Sequence, residues 1–386
     1  MGNIKDYLGW RGDLSFSQDP FNDVDALVFA LISYLPYKQI VPGIESNTDI
    51  SLLETCNEYF SQKSKTPKAT TNINPSASAS FDSELEDLLY LAANSPRFKT
   101  VRLSKYEENT DFIIGRQFGS LTYTLNGPEH FKVIAFRGTD NSLIGWKEDF
   151  QLAYMAQTPA QESARKYLNK SVGLFSDKIF ICGHSKGGNL ALYAGANMRP
   201  LYRRKIKRII NFDGPGFDFS VNDRTLFAQS EDKVINYLPE KSTVGMLLEP
   251  VGNRCFVSSS GQLINQHNAF NWNVEKTEFV PGKLSNISIT IDQILKSWLT
   301  EVSLSERETF IDALFDVLGA SEGTVIPSSA SEGIKEINKI LVKYSDLDSQ
   351  TKSLLTQLFI SLTSQLTSQT KINITTAMKV ILPEKK

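Results

Sequence analysis

Residues 178–196 read KIFICGHSKGGNLALYAGA: a β-rich run, the pentapeptide GHSKG at 183–187, and then small and apolar residues in a helical pattern. This is the pattern G-x-S-x-G in the context that it requires, with a strand before a sharp turn and a helix after it. Side chains at Gly183 or Gly187 would collide with neighbouring elements, and the strained turn would lift the Ser185 hydroxyl above the sheet edge. We therefore predict that Ser185 is a nucleophile. The alternative is a tight turn that needs its glycines for space alone.

Strand and helix patterns alternate on both sides of this turn. The β-rich runs occupy 112–114, 121–125, 132–136, 178–182, 208–212, 233–238 and 254–258, and the helical patterns occupy 146–154, 161–168 and 189–197. Such alternation favours an α/β fold, in which helices cover both faces of a mostly parallel sheet. An earlier apolar run at 26–35, with Asn22 or Asp19 as its cap and Pro36 as its stop, predicts a buried helix.

A serine nucleophile needs a base, and the chain has three histidines. The side chain of His184 is directed away from the hydroxyl of its neighbour in the turn, and His130 precedes the nucleophile in the chain. In folds that carry the nucleophile on such a turn, the partners follow in the order serine, acid, histidine. Only His267, about 80 residues beyond Ser185, fits this order. We predict that His267 is the base; the alternative is a surface histidine in a loop.

The acid is left open between two residues. A useful acid must follow a strand directly, at the same sheet edge as Ser185. Asp213 opens the turn DGPG after one β-rich run, and Glu240 follows the next run. We favour Asp213, because a short carboxylate in a Gly/Pro turn is readily held against the imidazole Nδ1. Its alternative role is that of a turn residue capping its own loop.

An oxyanion needs two donors, one of them from an earlier loop at a strand end. The β-rich run at 132–136 leads into Arg137-Gly138-Thr139, so the amide and the hydroxyl of Thr139 are candidates to face the turn. The amide of Lys186, directly after the nucleophile, is the candidate second donor.

These motifs resemble those of the class-three lipases. They are FRGT at 136–139, Trp146-x-x-Asp149, and GHSxGGxLA at 183–191. More narrowly, PFNDVDALV at 20–28, FDGPGF at 212–217 and QHNAFNW at 266–272 are similar to a bacterial branch of lipase-like hydrolases, the Mbeg-like proteins. The resemblance covers residues of about 20–280.

The resemblance implies an α/β-hydrolase fold, with a mostly parallel central sheet flanked by helices and a helical C-terminal appendage. It implies an esterase or lipase-like enzyme that cleaves carboxylic esters through an acyl-enzyme on Ser185. Thr139 and Lys186 would form the oxyanion hole, and Trp146 with Asp149 would border a lid or support the site. The alternatives are a non-catalytic binding or scaffolding protein on a hydrolase frame, and a thioesterase or amidase.

Two positions depart from the lipase pattern. The lipase acid follows a later strand, where this chain has Glu240 and no aspartate, which strengthens Glu240 as the rival acid. Asp213 resembles instead the acid of pancreatic-type lipases, one strand earlier. Lys186 stands where lipases commonly carry leucine, so we expect a charge near the substrate mouth that makes this mouth less than fully apolar.

Composition restricts the partners. The chain has 386 residues, with 41 Lys and Arg against 43 Asp and Glu, so no overall basic field favours nucleic acid. The expected partner is a small-molecule or lipid ester. A basic cluster is interpreted as a solvated face, with peripheral contact to anionic lipid as the alternative. The cluster comprises Arg199, Arg203, Arg204, Lys205, Lys207 and Arg208.

Targeting and cofactor signals are few. Three cysteines and an N-terminus without a secretory pattern indicate a cytoplasmic protein. The longest apolar stretch, of about ten residues, is too short to span a membrane. No phosphate-binding loop, dinucleotide fingerprint or metal-ligand spacing occurs in the sequence, so neither a cofactor nor a metal is expected.

The chain divides into two predicted regions. Residues 1–285 form the hydrolase domain, with a polar insertion at about 61–80 that is rich in Ser, Thr and Pro and reads as an exposed loop or a disordered segment. Residues 286–386 carry helix-spaced apolar residues and form a helical C-terminal region, whose helices are a candidate partner surface.

Overall fold

The computed structural model describes residues 2–65, 77–125, 130–140, 143–174, 176–261 and 263–320. Within these ranges an eight-stranded sheet runs in the order of the chain, and two short strands pair beside it. The strands are β1 Ile50–Ser51, β2 Arg102–Asp111, β3 Arg116–Leu125, β4 Phe131–Phe136, β5 Lys178–His184, β6 Ile206–Phe212, β7 Val234–Pro239, β8 Asn253–Val257, β9 Val274–Glu275 and β10 Glu278–Phe279.

Helices connect and cover these strands. They are α1 Ile4–Arg11, α2 Asp23–Ile32, α3 Leu52–Lys65, α4 Ala77–Ala93, α5 Leu143–Gln151, α6 Pro159–Ser171, α7 Lys186–Ala196, α8 Pro200–Arg203, α9 Arg224–Ala228, α10 Asn286–Glu301 and α11 Leu304–Ala320. Short 3₁₀ helices occupy Glu231–Lys233, Val244–Met246, Leu263–Gln266 and Ala269–Asn271. No helix in the described ranges is both long and apolar enough to cross a membrane.

The sheet changes its strand direction at β4. Strands β1 to β4 pair antiparallel, whereas β4 to β8 pair parallel. Parallel neighbours need crossover connections, and helices α5 to α9 lie in these connections. The carboxyl ends of β4 to β8 therefore meet at one edge of the sheet, which we call the carboxyl edge. The predicted α/β-hydrolase fold, with a mostly parallel central sheet, is confirmed.

Both faces of the sheet are buried, which explains why its central strands are almost continuously apolar. In β4, Val133 and Ala135 pack into the core that contains α2 and α4, while Ile134 and Phe136 pack into the core that contains α6 and α7. Helix α2 is buried along its length, and Asn22 caps it by accepting hydrogen bonds from the backbone of residues 24 and 25. The predicted helix and its Asn22 cap are thus observed.

One predicted strand was wrong, and one long observed strand was not predicted. Residues 112–114, expected to form a strand, are the turn that joins β2 to β3. Asp111 Oδ1 accepts hydrogen bonds from the amides of Ile113 and Ile114, and Gly115 takes a left-handed conformation at φ 63°, so this segment closes a hairpin. Strand β2 was missed because its sequence, RLSKYEENTD, is mostly polar.

The structure describes only the two ends of the predicted polar insertion. Helix α3 continues to Lys65 and helix α4 begins at Ala77, so both ends of the expected loop at 61–80 are helical, and residues 66–76 lie outside the described ranges. Glu86 of α4 accepts hydrogen bonds from Tyr59 and Lys63 of α3, which ties the two helices together.

Helices α10 and α11 pack onto the sheet domain. Ile311 and Phe315 of α11 are buried, and the Phe315 ring contacts Phe150 of α5. Arg307 donates hydrogen bonds to the carbonyl of Ala153 and to the carboxylate of Asp218. These helices therefore cover part of the carboxyl edge. The rest of the predicted helical region, 321–386, lies outside the described residues.

Candidate active site

Ser185 occupies a strained turn between β5 and α7, with φ 59° and ψ −134°. Its amide donates to the carbonyl of Phe212, at the end of the neighbouring strand β6. A Cβ added at Gly183 would lie 2.1 Å from the carbonyl oxygen of Gly187, and one added at Gly187 would lie 2.1 Å from that of Phe136. The glycines are thus needed where strand and helix approach, as the sequence predicted, and Ser185 is left half-buried at the carboxyl edge.

The start of α7 lies directly behind Ser185. Amides in the first turn of a helix have no intrahelical acceptor, and the helix dipole adds partial positive charge there. The amide of Lys186 is the first of them. This end of α7 can therefore stabilise an anion that forms beside the Ser185 hydroxyl.

Asp213 follows β6 and contacts His267. Its Oδ2 lies 2.7 Å from His267 Nδ1, and its Oδ1 accepts hydrogen bonds from the Ser242 hydroxyl and, at 3.1 Å, from the amide of Gly245. Asp213 is almost fully buried and takes a positive φ of 51°, which is uncommon outside glycine. Three donors compensate for the burial of its carboxylate.

Glu240, the rival acid, lies elsewhere on the same edge. Its Oε1 accepts a hydrogen bond of 3.3 Å from the amide of Lys283, and the structure gives it no hydrogen bond with His267. The loop after β7 contributes the hydroxyl of Ser242 to Asp213 instead of an acid. Of the two candidates, the structure brings Asp213 and not Glu240 to the imidazole.

The loop that carries His267 is fixed by a buried glutamine. Gln266 accepts a hydrogen bond of 2.7 Å from the amide of Lys241 and donates one of 2.9 Å to the carbonyl of Gly261. The indole of the fully buried Trp272 donates to the carbonyl of Gln266. Sequence analysis missed the roles of Gln266 and Trp272, because no local pattern reveals that these side chains close the loop on itself.

His184 connects this loop to the turn of Ser185. Its Nε2 lies 2.8 Å from the carbonyl of His267, and the two rings are 4.7 Å apart between centroids. A carbonyl only accepts, so Nε2 carries the proton, and Nδ1 accepts from the Tyr34 hydroxyl at 3.0 Å. Burial lowers the pKa of His184 to about 3, so the ring stays neutral in this arrangement. His184 is a positioning residue, and the third histidine, His130, is exposed at the opposite edge before β4.

The arrangement leaves one nitrogen of His267 available. With Nδ1–H donating to Asp213, the remaining Nε2 is the basic nitrogen of the neutral ring. His184, the neighbour of Ser185, contacts the carbonyl of His267, and the adjacent ends of β5 and β6 place Ser185 next to Phe212, the residue before Asp213. Asp213 and His267 are therefore in contact at the carboxyl edge, and Ser185 lies at the same edge between His184, which contacts the His267 carbonyl, and the start of α7.

The loop after β4 contributes Thr139. Its hydroxyl donates to the carboxylate of Asp149 on α5 and is therefore engaged as a donor. The amide of Thr139 is left as the candidate donor to an oxyanion. Asp149, which the family resemblance implied as a support of the site, fixes the side chain of Thr139.

Lys186 does not place its charge at the substrate mouth, contrary to expectation. Its side chain is 2% exposed, and its ammonium donates to the carbonyl and side chain of Gln117 and to Glu148, at 3.1 Å from Oε2. A buried ammonium requires such partners, and they lie on β3 and α5. The charge is thus compensated inside the protein, and only the backbone amide of Lys186 adjoins Ser185.

Asp149 makes the stability of this region depend on pH. Burial raises its pKa to about 6, although the Lys186 charge and the Thr139 hydroxyl favour its ionised form. An acid with a raised pKa in the folded state stabilises the fold fully below its unfolded pKa of about 4, and this contribution disappears as the pH rises through 6. Relative to Asp149→Asn, the free energy of unfolding of the wild-type protein should therefore fall by up to about 3 kcal/mol between pH 4 and pH 7. Denaturant titrations at several pH values measure this difference, and a difference independent of pH would contradict the assignment.

Comparisons with known proteins give a structural likeness and a family match. A solved structure described as M37 lipase aligns with 90% of this chain and 98% of its own, at 14% identity and a TM-score of 0.35, a likeness too weak to carry an argument. No curated protein matches the chain. Within the described residues, no group of three or more His, Cys, Asp or Glu side chains could hold a metal ion.

One family model matches the sequence, and it is described as Mbeg1-like. The match runs over residues 92–316, which is more than half of the 386 residues. It begins later than the resemblance at 20–280 predicted and ends later, extending through α10 and most of α11. The chain belongs to the Mbeg1-like family.

Proposed function

We propose that this protein is a serine hydrolase that cleaves carboxylic esters through an acyl-enzyme on Ser185. The contact between Asp213 and His267 Nδ1, beside a serine in a strained turn, is the observation that carries the proposal. The buried carboxylate of Asp213 accepts hydrogen bonds from a hydroxyl and an amide and also contacts the imidazole. A residue that only caps its own turn does not need this set of partners.

In the first half of the reaction, Ser185 Oγ attacks the ester carbonyl while His267 Nε2 accepts the hydroxyl proton. Asp213 holds the imidazole in the required tautomer and stabilises the imidazolium that forms. The tetrahedral oxyanion accepts hydrogen bonds from the amides of Lys186 and Thr139. When the intermediate collapses, His267 returns the proton to the leaving alcohol, and the acyl group remains on Ser185.

In the second half, water replaces the alcohol. His267 takes a proton from the water, whose oxygen attacks the acyl-enzyme carbonyl, and the same two amides stabilise the second oxyanion. Collapse releases the carboxylic acid and restores the Ser185 hydroxyl with the proton from His267. The loss of one oxyanion donor costs about 3–4 kcal/mol of transition-state stabilisation in enzymes of this kind.

Labelling with a fluorophosphonate probe tests the proposal, because only an activated serine reacts readily with it. We expect one adduct per chain, mapped to Ser185 by mass spectrometry, with no labelling of Ser185→Ala and slow labelling of His267→Ala. The control variant Ser46→Ala changes a serine whose hydroxyl contacts the Thr48 hydroxyl on the surface, and it should label like the wild-type protein.

Absence of labelling would contradict the proposal and favour a binding or scaffolding protein on a hydrolase frame. An adduct on a different serine would also contradict it. If Ser185 is labelled, a panel of esters, thioesters and amides with matched acyl groups identifies the bond that is cleaved. Turnover of thioesters or amides without turnover of esters would favour the thioesterase or amidase.

A further inference from the structure

The hairpin of β2 and β3 ends in three exposed apolar side chains. Phe112 is 79% exposed, Ile113 96% and Ile114 50%. Other large apolar side chains exposed in the described part of the chain occur singly, apart from the pair Tyr90 and Leu91. We call residues 112–114 the hairpin tip. Monomeric proteins tolerate scattered apolar side chains on their surface, but a run of consecutive ones marks a contact site.

The tip projects from the edge of the sheet that carries Ser185. Register places Ser120 of β3 beside Phe136 of β4, and Phe136 beside Gly183 of β5. From Ser120 the hairpin continues in the direction in which β5 runs towards Ser185. At roughly 3.4 Å per residue, the six residues from 120 to 114 carry the tip up to about 20 Å beyond the level of Gly183.

The turn holds the apolar side chains outward. Asp111 Oδ1 accepts the amides of Ile113 and Ile114, and Gly115 closes the turn. Arg116 donates a hydrogen bond of 2.9 Å to Asn109 on the opposite strand. The hydrogen bonds of the turn and of the two strands therefore fix the conformation of the tip.

The stalk of the hairpin is attached to both sides of the candidate oxyanion hole. Glu108 of β2 pairs with Arg137, two residues before Thr139, and Gln117 of β3 accepts the buried ammonium of Lys186. These contacts fix the direction in which the hairpin leaves the site. A surface that receives the tip would therefore face the carboxyl edge in a defined orientation.

We propose that the hairpin tip inserts into the surface of a lipid bilayer or lipid aggregate and seats the carboxyl edge on it, so that the substrates are esters carried by that lipid. This inference rests on the proposed function for its choice of substrate. Burial of three apolar side chains at the boundary between headgroups and acyl chains is favourable and needs no complementary pocket. A stable protein interface buries about 1,200–2,000 Å², which one protruding turn does not supply.

The charged residues near the tip do not require the lipid headgroups to carry a net charge. Arg116 and Asp111 lie 3.7 Å apart and compensate each other, so zwitterionic lipid should suffice. The basic cluster at 199–208 lies elsewhere, since α8 and the start of β6 belong to the opposite edge of the sheet. Its Arg208 is already paired with Asp23. An anionic surface that bound this cluster would not meet the hairpin tip.

Vesicle binding tests this proposal without catalysis. The inactive full-length Ser185→Ala chain is floated with phosphatidylcholine vesicles, with and without Phe112→Ser and Ile113→Ser together. Because two large apolar side chains are lost from the lipid, we expect the partition coefficient to fall at least about tenfold. The matched control is Leu201→Ser, which removes an apolar side chain that is 52% exposed on α8, at the opposite edge. This control should bind like the parent chain.

Hydrolysis supplies the second readout, in the active chain with the same substitutions. The tip variant should turn over a water-soluble short-chain ester within about twofold of the wild-type rate, since Ser185 and its partners are untouched. Its hydrolysis of a long-chain ester embedded in vesicles should fall at least about tenfold, in line with the lost binding. Unchanged unfolding midpoints exclude a folding defect.

Three results would overturn the inference. They are failure of the parent chain to bind vesicles, equal binding by the tip variant, and loss of a dimer or larger oligomer on substitution of the tip. The last result would assign the tip to a second copy of the chain. None of them bears on fluorophosphonate labelling, so a failure of this inference is distinguishable from a failure of the proposed function.

Discussion

Asp213→Asn is expected to lower kcat/KM for a soluble ester by about 10³–10⁴-fold, with little change in stability. The reason lies in the two donors that fix Oδ1, the hydroxyl of Ser242 and the amide of Gly245. They would hold the amide oxygen of the new asparagine at that position and turn its NH₂ group towards His267. An NH₂ group donates, so His267 Nδ1 would have to accept, and the ring proton would move to Nε2. The nitrogen that should take the Ser185 proton would then already carry one.

Glu240→Gln is the matched control for this substitution. The carboxylate of Glu240 accepts a hydrogen bond from the amide of Lys283, which a glutamine oxygen can also accept. Its kcat/KM should remain within about twofold of the wild-type value, since no reacting group is touched. Steady-state kinetics on the same ester, with thermal unfolding of each variant, give the comparison. A large loss in Glu240→Gln together with a small loss in Asp213→Asn would reverse the assignment of the acid.

The nucleophile turn could be predicted from sequence because its pattern is local, although the need for glycine at 187 comes from the carbonyl of Phe136 on β4. Gly183 and Gly187 meet Ser185 within a few residues, and the strand before and the helix after have their own patterns. Asp213 and His267 could be chosen from the order of the chain and from the strands that precede them. The choice between Asp213 and Glu240 could not be made in this way, because both follow neighbouring parallel strands at one edge.

The features that could not be predicted from the sequence depend on partners that are distant in the chain. Ser242 reaches Asp213 across 29 residues, and Lys186 reaches Gln117 across 69. The direction of the Lys186 side chain therefore depends on β3 and α5, and local pattern gave the wrong expectation of a charge at the mouth. The prediction of a strand at residues 112–114 is wrong for a related reason. An apolar run normally signals burial, and here the Asp111 and Gly115 turn holds the run in solvent.

A second distant partner, which sequence analysis also missed, stabilises the N-terminal part of the fold. Arg97, in the turn that follows α4, binds Asp25 of α2 through two hydrogen bonds, of 2.8 Å and 2.6 Å, and both side chains are fully buried. The Tyr7 hydroxyl donates to the same carboxylate, and Arg97 also donates to the carbonyls of Leu14, Asp19 and Pro20. One guanidinium thus joins α2 to the chain segment that precedes it.

Arg97→Met should lower the free energy of unfolding by about 3–5 kcal/mol, because it leaves the Asp25 carboxylate buried without its counter-charge. The matched control is Arg102→Met, which breaks a pair with Asp49 whose side chains are 34% and 47% exposed, and it should cost less than about 1 kcal/mol. Adding Asp25→Asn to Arg97→Met removes the unpaired charge, so the double variant should be more stable than Arg97→Met alone. Urea denaturation of the full-length chain measures all three variants. Equal losses in Arg97→Met and Arg102→Met, or a further loss in the double variant, would show that the buried pair does not hold this part of the fold together.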